Sequence, residues 1–265
     1  METTLGIGAP RTERRANWIV FGGLLVASAL AAALITPYAV SALGDQRISP
    51  VVLLVATLIQ SLLFTAVAAP LGLWLGPRTR LGAPLLVRWA AGDRKAPRAI
   101  VATLPLAMGL GLATAVVALA VLTPLGALAP PPKQTVHVPP PGLGLLAAAS
   151  AGINEEIWLR LGLVTVLAWA LTKVTGQEPL RPAVAWTAIV LATLVFGALH
   201  IPQAFQVFGG GSLILTVVAP MVGNGLVGIG FGWLYWRRGL VAAMVAHFAC
   251  DVVLHAVAPI LPVPT

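Results

Sequence analysis

The feature that most constrains this chain is a series of long apolar segments separated by short gaps. A helix needs about 20 apolar residues to cross the hydrocarbon core of a bilayer. Seven segments meet that requirement, at about residues 18–41, 50–76, 99–126, 143–171, 183–207, 212–236 and 239–260. We therefore predict an all-α fold, a polytopic membrane helix bundle with about seven transmembrane helices.

The composition excludes several other classes of protein. Of the 265 residues, 58% are hydrophobic and only 9% are charged, whereas a soluble domain has about 25% charged residues. The same numbers exclude a disordered chain, and the one cysteine, Cys250, excludes a disulfide-stapled secreted domain. The net charge of +8 does not indicate a nucleic-acid partner, because the basic residues lie in the gaps between the apolar segments.

The distribution of basic residues predicts the orientation of the helices. Of the 16 lysines and arginines, 13 fall in gaps on the side of the N-terminus and two on the other side, while Arg160 lies inside a segment. Because cytoplasmic loops of membrane proteins are enriched in Lys and Arg, we expect a cytoplasmic N-terminus and an external C-terminus. The expected location is the inner (cell) membrane, with the bilayer itself as a partner.

Two segments allow alternative interpretations. Between the second and third spans, Leu81–Ala91 fits an interfacial helix, which would be an eighth helix. At the N-terminus, Arg14 and Arg15 precede an apolar stretch that resembles a cleaved signal peptide. That stretch continues to Val40, long enough to span, so we favour an uncleaved first helix.

A proline-rich connector, Ala129–Gly142, divides the chain into two regions. Residues 1–128 form an N-terminal membrane region with three predicted transmembrane helices. Residues 143–260 hold the other four. The acidic residues and the histidines that fall inside spans all lie in this second region.

Charged side chains within a bilayer are costly and therefore mark functional sites. In the fourth span, Glu156 and Arg160 are four residues apart and share a helix face. Arg160 should therefore neutralise Glu156 and leave Glu155 without a local cation, as a candidate general base. The alternative is that these glutamates only join helices.

Two later spans contribute imidazoles and a further carboxylate. His200 lies in the fifth span, and His247 and Asp251 lie four residues apart in the seventh. A carboxylate beside an imidazole fixes its tautomer, so we expect Asp251 to orient His247. With Glu155, these groups supply either N and O ligands for a divalent metal or a base and an oxyanion clamp.

The three motifs in order resemble the signature of a known family. Glu155-Glu156-x-x-x-Arg160, Phe196-x-x-x-His200 and His247-x-x-x-Asp251 are similar to those of the CPBP (CAAX protease and bacteriocin-processing, or ABI) intramembrane proteases. The segment containing Gly228 and Gly232 resembles the family's glycine-rich sixth helix. The resemblance covers residues 143–255. It implies that the second region, residues 143–260, is the catalytic core. Family members often have asparagine where this chain has Asp251.

The resemblance implies peptide-bond hydrolysis and a role for each motif residue. Glu155 would activate water, and His200 would hold that water or a metal. His247 and Asp251 would complete a metal site or stabilise the oxyanion, and Glu156 with Arg160 would complete the catalytic set. A metal, if used, would be zinc bound by Glu155, His200, His247 and Asp251. The zincin motif His-Glu-x-x-His is absent from the sequence.

Two other functions remain open on sequence alone. A bacteriocin-immunity-type membrane partner would bind peptides without cutting them, and a small proton-coupled transporter would use the same groups as a relay. The expected substrate is a membrane-associated protein or a small peptide; the oligomeric state is not predicted. Straight, full-length helices would keep His200 and His247 apart, so either the predicted boundaries are wrong or a helix is broken. Pro202 and the glycines at 209–211 favour a distorted fifth span.

Overall fold

The computed structural model describes residues 11–44, 48–129, 137–176, 180–208 and 211–261, and throughout these ranges the regular structure is helical. Half of the proline-rich connector, residues 130–136, lies outside them. The α-helices are α1 (Arg11–Leu43), α2 (Pro50–Thr79), α3 (Pro84–Ala90), α4 (Ala96–Val101), α5 (Leu104–Ala127), α6 (Pro141–Glu155), α7 (Thr165–Thr175), α8 (Pro182–Leu199), α9 (Ile201–Phe208), α10 (Ala219–Arg238) and α11 (Leu240–Asp251). Three π-helical segments, Glu156–Val164, Ile214–Val218 and Val252–Val257, and a 3₁₀ turn, Ala258–Ile260, complete the described structure.

Seven helical stretches of the described chain are long and apolar enough to cross a membrane, which confirms the predicted all-α bundle. They are Arg11–Leu43, Pro50–Thr79, Ala96–Ala127, Pro141–Thr175, Pro182–Gln206, Ile214–Arg238 and Leu240–Ile260. The protein is therefore a multi-pass membrane protein. The predicted starts and ends agree within about four residues, except that the first helix begins at Arg11 because its polar first turns continue the helix beyond the apolar stretch. The short helix expected within Leu81–Ala91 is α3.

The fifth span is broken at His200, as expected. Helix α8 ends at Leu199, His200 caps it with φ −86° and ψ −13°, and α9 begins at Ile201. Proline has no backbone N–H, so Pro202 cannot donate to the carbonyl of Ala198 four residues before it, and its ring crowds that carbonyl. Pro202 therefore accounts for the position of this break, which ends the first helix of the span at a candidate site residue.

Close packing of α10 against α8 depends on glycine. A Cβ atom added at Gly228 would lie 2.9 Å from Cγ2 of Thr193, and one added at Gly232 would lie 2.6 Å from Cγ2 of Ile189. Lipid removes most of the hydrophobic drive between helices, so their association relies on such close contacts. Gly228 and Gly232 therefore allow α10 to pack closely against α8.

We predict that Gly232→Val destabilises the protein by about 1–3 kcal/mol, the usual cost of inserting methyl groups into a filled interface. Gly225→Val is the matched control on the same helix, because a Cβ added there has no atom within 4 Å. Thermal unfolding in detergent should separate the two variants. Equal unfolding temperatures would contradict the packing role of Gly232.

A buried polar network ties the N-terminal helices to α6. The Ser28 hydroxyl of α1 lies 2.6 Å from Oδ1 of Asn154 and 2.8 Å from the Thr65 hydroxyl of α2. The Asn154 amide donates to Oγ of Ser61, and the Trp158 indole N–H donates to Thr65. Three helices thereby fix the backbone immediately before Glu155.

Candidate active site

The innermost part of the site is a buried ion pair on the fourth span. Nη1 of Arg160 lies 2.8 Å from Oε1 of Glu156, as the four-residue spacing predicts. Nη1 is not aligned for a hydrogen bond to any residue in the described ranges, so this contact is mainly Coulombic. Nη2 donates to the Gly228 carbonyl at 3.2 Å. The guanidinium also lies between the rings of Phe196 and Phe231, at 5.3 and 5.5 Å from their centroids, which provides cation–π stabilisation.

His247 contacts two carboxylates, Asp251 as expected and also Glu156. Nδ1 of His247 lies 2.7 Å from Oε1 of Glu156. An ionised carboxylate only accepts hydrogen bonds, so Nδ1–H is the donor and Glu156 helps to orient the ring. Phe231 stacks on the imidazole at a centroid distance of 4.8 Å. The sequence did not reveal this arrangement, because the two partners are 91 residues apart.

The opposite edge of His247 faces the other two carboxylates. Nε2 lies 3.7 Å from Oε2 of Glu155 and 3.5 Å from Oδ2 of Asp251. Glu155 keeps 26% of its side chain exposed, whereas Glu156 is completely buried. Of the two adjacent glutamates, only Glu155 is therefore accessible to a water molecule or a substrate.

His200 enters the site from the break between α8 and α9. Its Nδ1 lies 2.9 Å from the Phe196 carbonyl, which can only accept, so Nδ1–H donates and Nε2 retains its lone pair. Phe196 packs edge-on against both histidines, with ring centroids 4.7 Å from His200 and 6.2 Å from His247. His200 is also close enough to interact electrostatically with Glu155.

The side chains expected to bind a metal do not form a ready-made metal centre. No group of three or more His, Cys, Asp or Glu side chains within the described ranges is arranged to hold an ion. The donor types would suit zinc, and zinc binding stays a prediction. The reaction scheme proposed below uses the side chains.

The structure brings Glu155, Glu156, Arg160, His247 and Asp251 into one contiguous cluster, with His200 beside it across Phe196. Three contacts around this cluster were not predicted from the sequence. They are the contacts of Arg160 with the Phe196 and Phe231 rings, its hydrogen bond to the Gly228 carbonyl, and the Glu156–His247 hydrogen bond. The glycine-rich pattern of α10 could have indicated the Gly228 contact, because it places a helix backbone close to its neighbours.

Comparison with known proteins bears on the same part of the chain. Residues 138–253 match the family model described as type II CAAX prenyl endopeptidase Rce1-like. No curated protein and no solved structure matches the chain. The matched residues include the whole cluster and the helices that carry it. Over residues 138–253 the chain is therefore similar to the Rce1-like type II CAAX prenyl endopeptidases.

Proposed function

We propose that the protein is an intramembrane endopeptidase in which Glu155 activates the attacking water. The observation that carries this proposal is the contrast between the two adjacent glutamates. Glu156 is fully buried and held by Arg160 and His247, whereas Glu155 is partly exposed and faces Nε2 of His247. One glutamate is thus occupied in positioning, and the other is available for proton transfer.

The side chains support a balanced hydrolysis. Glu155 accepts a proton from water as the water oxygen bonds to the scissile carbonyl carbon, and the lone pair on Nε2 of His200 orients that water. In the proposed reaction His247 also carries a proton on Nε2, which faces two carboxylates, and this Nε2–H donates to the tetrahedral oxyanion with Asp251 beside it. Glu155 then gives its proton to the leaving nitrogen as the carbon–nitrogen bond breaks. Glu156 and Arg160 act through His247 as positioning residues.

The proposed substrate is a membrane-associated protein or a small peptide. A site formed by four transmembrane segments is reached from the bilayer more directly than from bulk water. We propose that the protein resides in the inner membrane with its N-terminus in the cytoplasm, because the basic residues fall on that side of the predicted spans.

A cleavage assay in phosphatidylcholine nanodiscs tests the proposal. A library of membrane-protein peptides is incubated with wild type and with Glu155→Gln, each with and without a chelator, and the products are identified by mass spectrometry. We expect the wild type to cleave, the variant to be inactive and the chelator to have no effect. Loss of activity with the chelator, restored by zinc, would replace the side-chain mechanism with a metal-dependent one.

The same experiment separates the two alternative functions. An immunity-type partner would bind peptides equally well as wild type and as Glu155→Gln, without products in either case. A proton-coupled transporter would show Glu155-dependent proton flux in sealed vesicles and no cleavage. Either result would overturn the proteolytic assignment for this chain.

A further inference from the structure

A basic recess lies apart from the candidate active site, at the ends of several helices. It has a volume of about 320 Å³, and its lining includes Arg80 after α2, Trp236, Arg237 and Arg238 at the end of α10, and Thr103 before α5. These helix ends are on the side to which the sequence assigns most of the basic residues. The recess is therefore expected at a membrane surface, where lipid headgroups are found.

Two of the arginines are held in defined conformations. Arg80 has φ 56°, and it is the one non-glycine residue with positive φ in the described chain. This left-handed conformation costs an ordinary residue about 1–2 kcal/mol, so glycine would be the conformationally favoured residue here. Arg237 stacks on Trp236, with its guanidinium carbon 4.7 Å from the ring centroid. Both features keep a cationic side chain at the recess.

The charges of this recess are not neutralised by the protein. Within the described ranges, no carboxylate forms an ion pair with Arg80, Arg237 or Arg238. The nearby loop contains Asp93, but that carboxylate accepts from the Lys95 backbone N–H and from Arg88. These contacts hold the pKa of Asp93 below its usual value, and the hydrogen bond from the Lys95 backbone N–H has the largest effect. Asp93 therefore stays ionised, and its oxygens are already hydrogen-bonded within its own loop.

A second, more apolar recess adjoins the first one. The two recesses share five lining residues, Pro84, Leu85, Thr103, Arg238 and Gly239. The rest of the second lining is apolar and includes Leu86 of α3, Ile100 of α4, and Leu240 and Val241 of α11. A cationic recess continuous with an apolar one matches an amphipathic anion, with the phosphate at the arginines and the start of an acyl chain beside α3.

We propose that this recess binds the headgroup of an anionic phospholipid, with Arg80, Arg237 and Arg238 holding the phosphate. Basic pockets between transmembrane helices bind anionic headgroups, and each Lys or Arg near the surface contributes about 1 kcal/mol, which is about fivefold in affinity. Trp236 is the type of residue that lies at the headgroup level. The site is separate from Glu155, so its test does not depend on proteolysis.

Native mass spectrometry of the full chain in a neutral detergent tests this site. The probes are phosphatidylglycerol, phosphatidylcholine with the same acyl chains, and inorganic phosphate. The variants are the triple change Arg80→Gln, Arg237→Gln, Arg238→Gln and the single change Arg80→Gly, which suits the backbone and should fold normally. The matched control, Arg94→Gln, Lys95→Gln, Arg98→Gln, removes the same charge from exposed positions outside the recess.

We expect wild type to retain one phosphatidylglycerol at least about tenfold more tightly than phosphatidylcholine. The site triple variant should lose about 100-fold and Arg80→Gly about fivefold, while the control triple changes little. Equal weakening by both triple variants would show diffuse surface attraction and overturn the proposal. So would full affinity in Arg80→Gly, or inorganic phosphate binding as tightly as the lipid, which would indicate a site for free phosphate.

Discussion

Replacing Arg160 with methionine should lower the free energy of unfolding by about 3–5 kcal/mol, because it leaves a buried carboxylate without its cation. The side chain of Glu156 has no exposed surface, and that of Arg160 is 3% exposed. Methionine retains an apolar stem that Phe196 and Phe231 can pack against. The loss of unfolding free energy therefore measures the cost of the unpaired Glu156 charge more than the cost of a cavity.

Two comparisons make this prediction specific. The double variant Glu156→Gln, Arg160→Met should recover much of the lost stability, because no charge is then left unpaired and the glutamine oxygen can still accept from His247. Arg88→Met removes an arginine from an exposed pair, Arg88–Asp93, whose side chains are 53% and 31% exposed, and should cost about 0–1 kcal/mol. Denaturant unfolding in mixed micelles measures all three. A double variant no more stable than Arg160→Met would contradict the unpaired-charge explanation.

Much of the fold could be predicted because the bilayer imposes a strict requirement. Each crossing must satisfy its backbone hydrogen bonds internally and remain apolar for about 20 residues, so span positions are encoded locally. The Glu156–Arg160 pair was predictable for the same reason, since helical periodicity alone places residues i and i+4 together. The break at His200 followed from Pro202 and from the need to bring two histidines close together.

The remaining details of the site depend on contacts that local pattern does not encode. The helix changes to a π-helix over Glu156–Val164. So short a π-helical segment has no hydrophobic periodicity that would identify it in the sequence. Glu156 meets His247 across two helices, 91 residues apart, so the partner of Nδ1 could not be chosen from spacing. Asp251, four residues along the same helix, is the partner that spacing could indicate, and it contacts His247 on the Nε2 side.

Replacing Glu155 with glutamine should reduce the cleavage rate constant by at least about 10³-fold while substrate affinity stays within about twofold. Loss of a general base costs about 10²–10⁴-fold, and in the proposed reaction Glu155 also returns the proton to the leaving nitrogen. Glutamine has nearly the same shape and is not expected to disturb folding, because the side chain is 26% exposed and lies outside the Glu156–Arg160 ion pair. Single-turnover cleavage and peptide binding in nanodiscs would give the two quantities separately.

The variant Glu155→Asp distinguishes a carboxylate that must transfer a proton from one that is needed only for its negative charge. Aspartate keeps the carboxylate but withdraws it by one methylene, so a base that must reach water at a fixed position should recover only a small part of the lost activity. A carboxylate needed only for its charge would recover most of it. If Glu155→Gln and Glu155→Asp both cleaved at the wild-type rate in correctly folded protein, water activation would have to be reassigned to another group that faces Nε2 of His247, and Asp251 is the one in position.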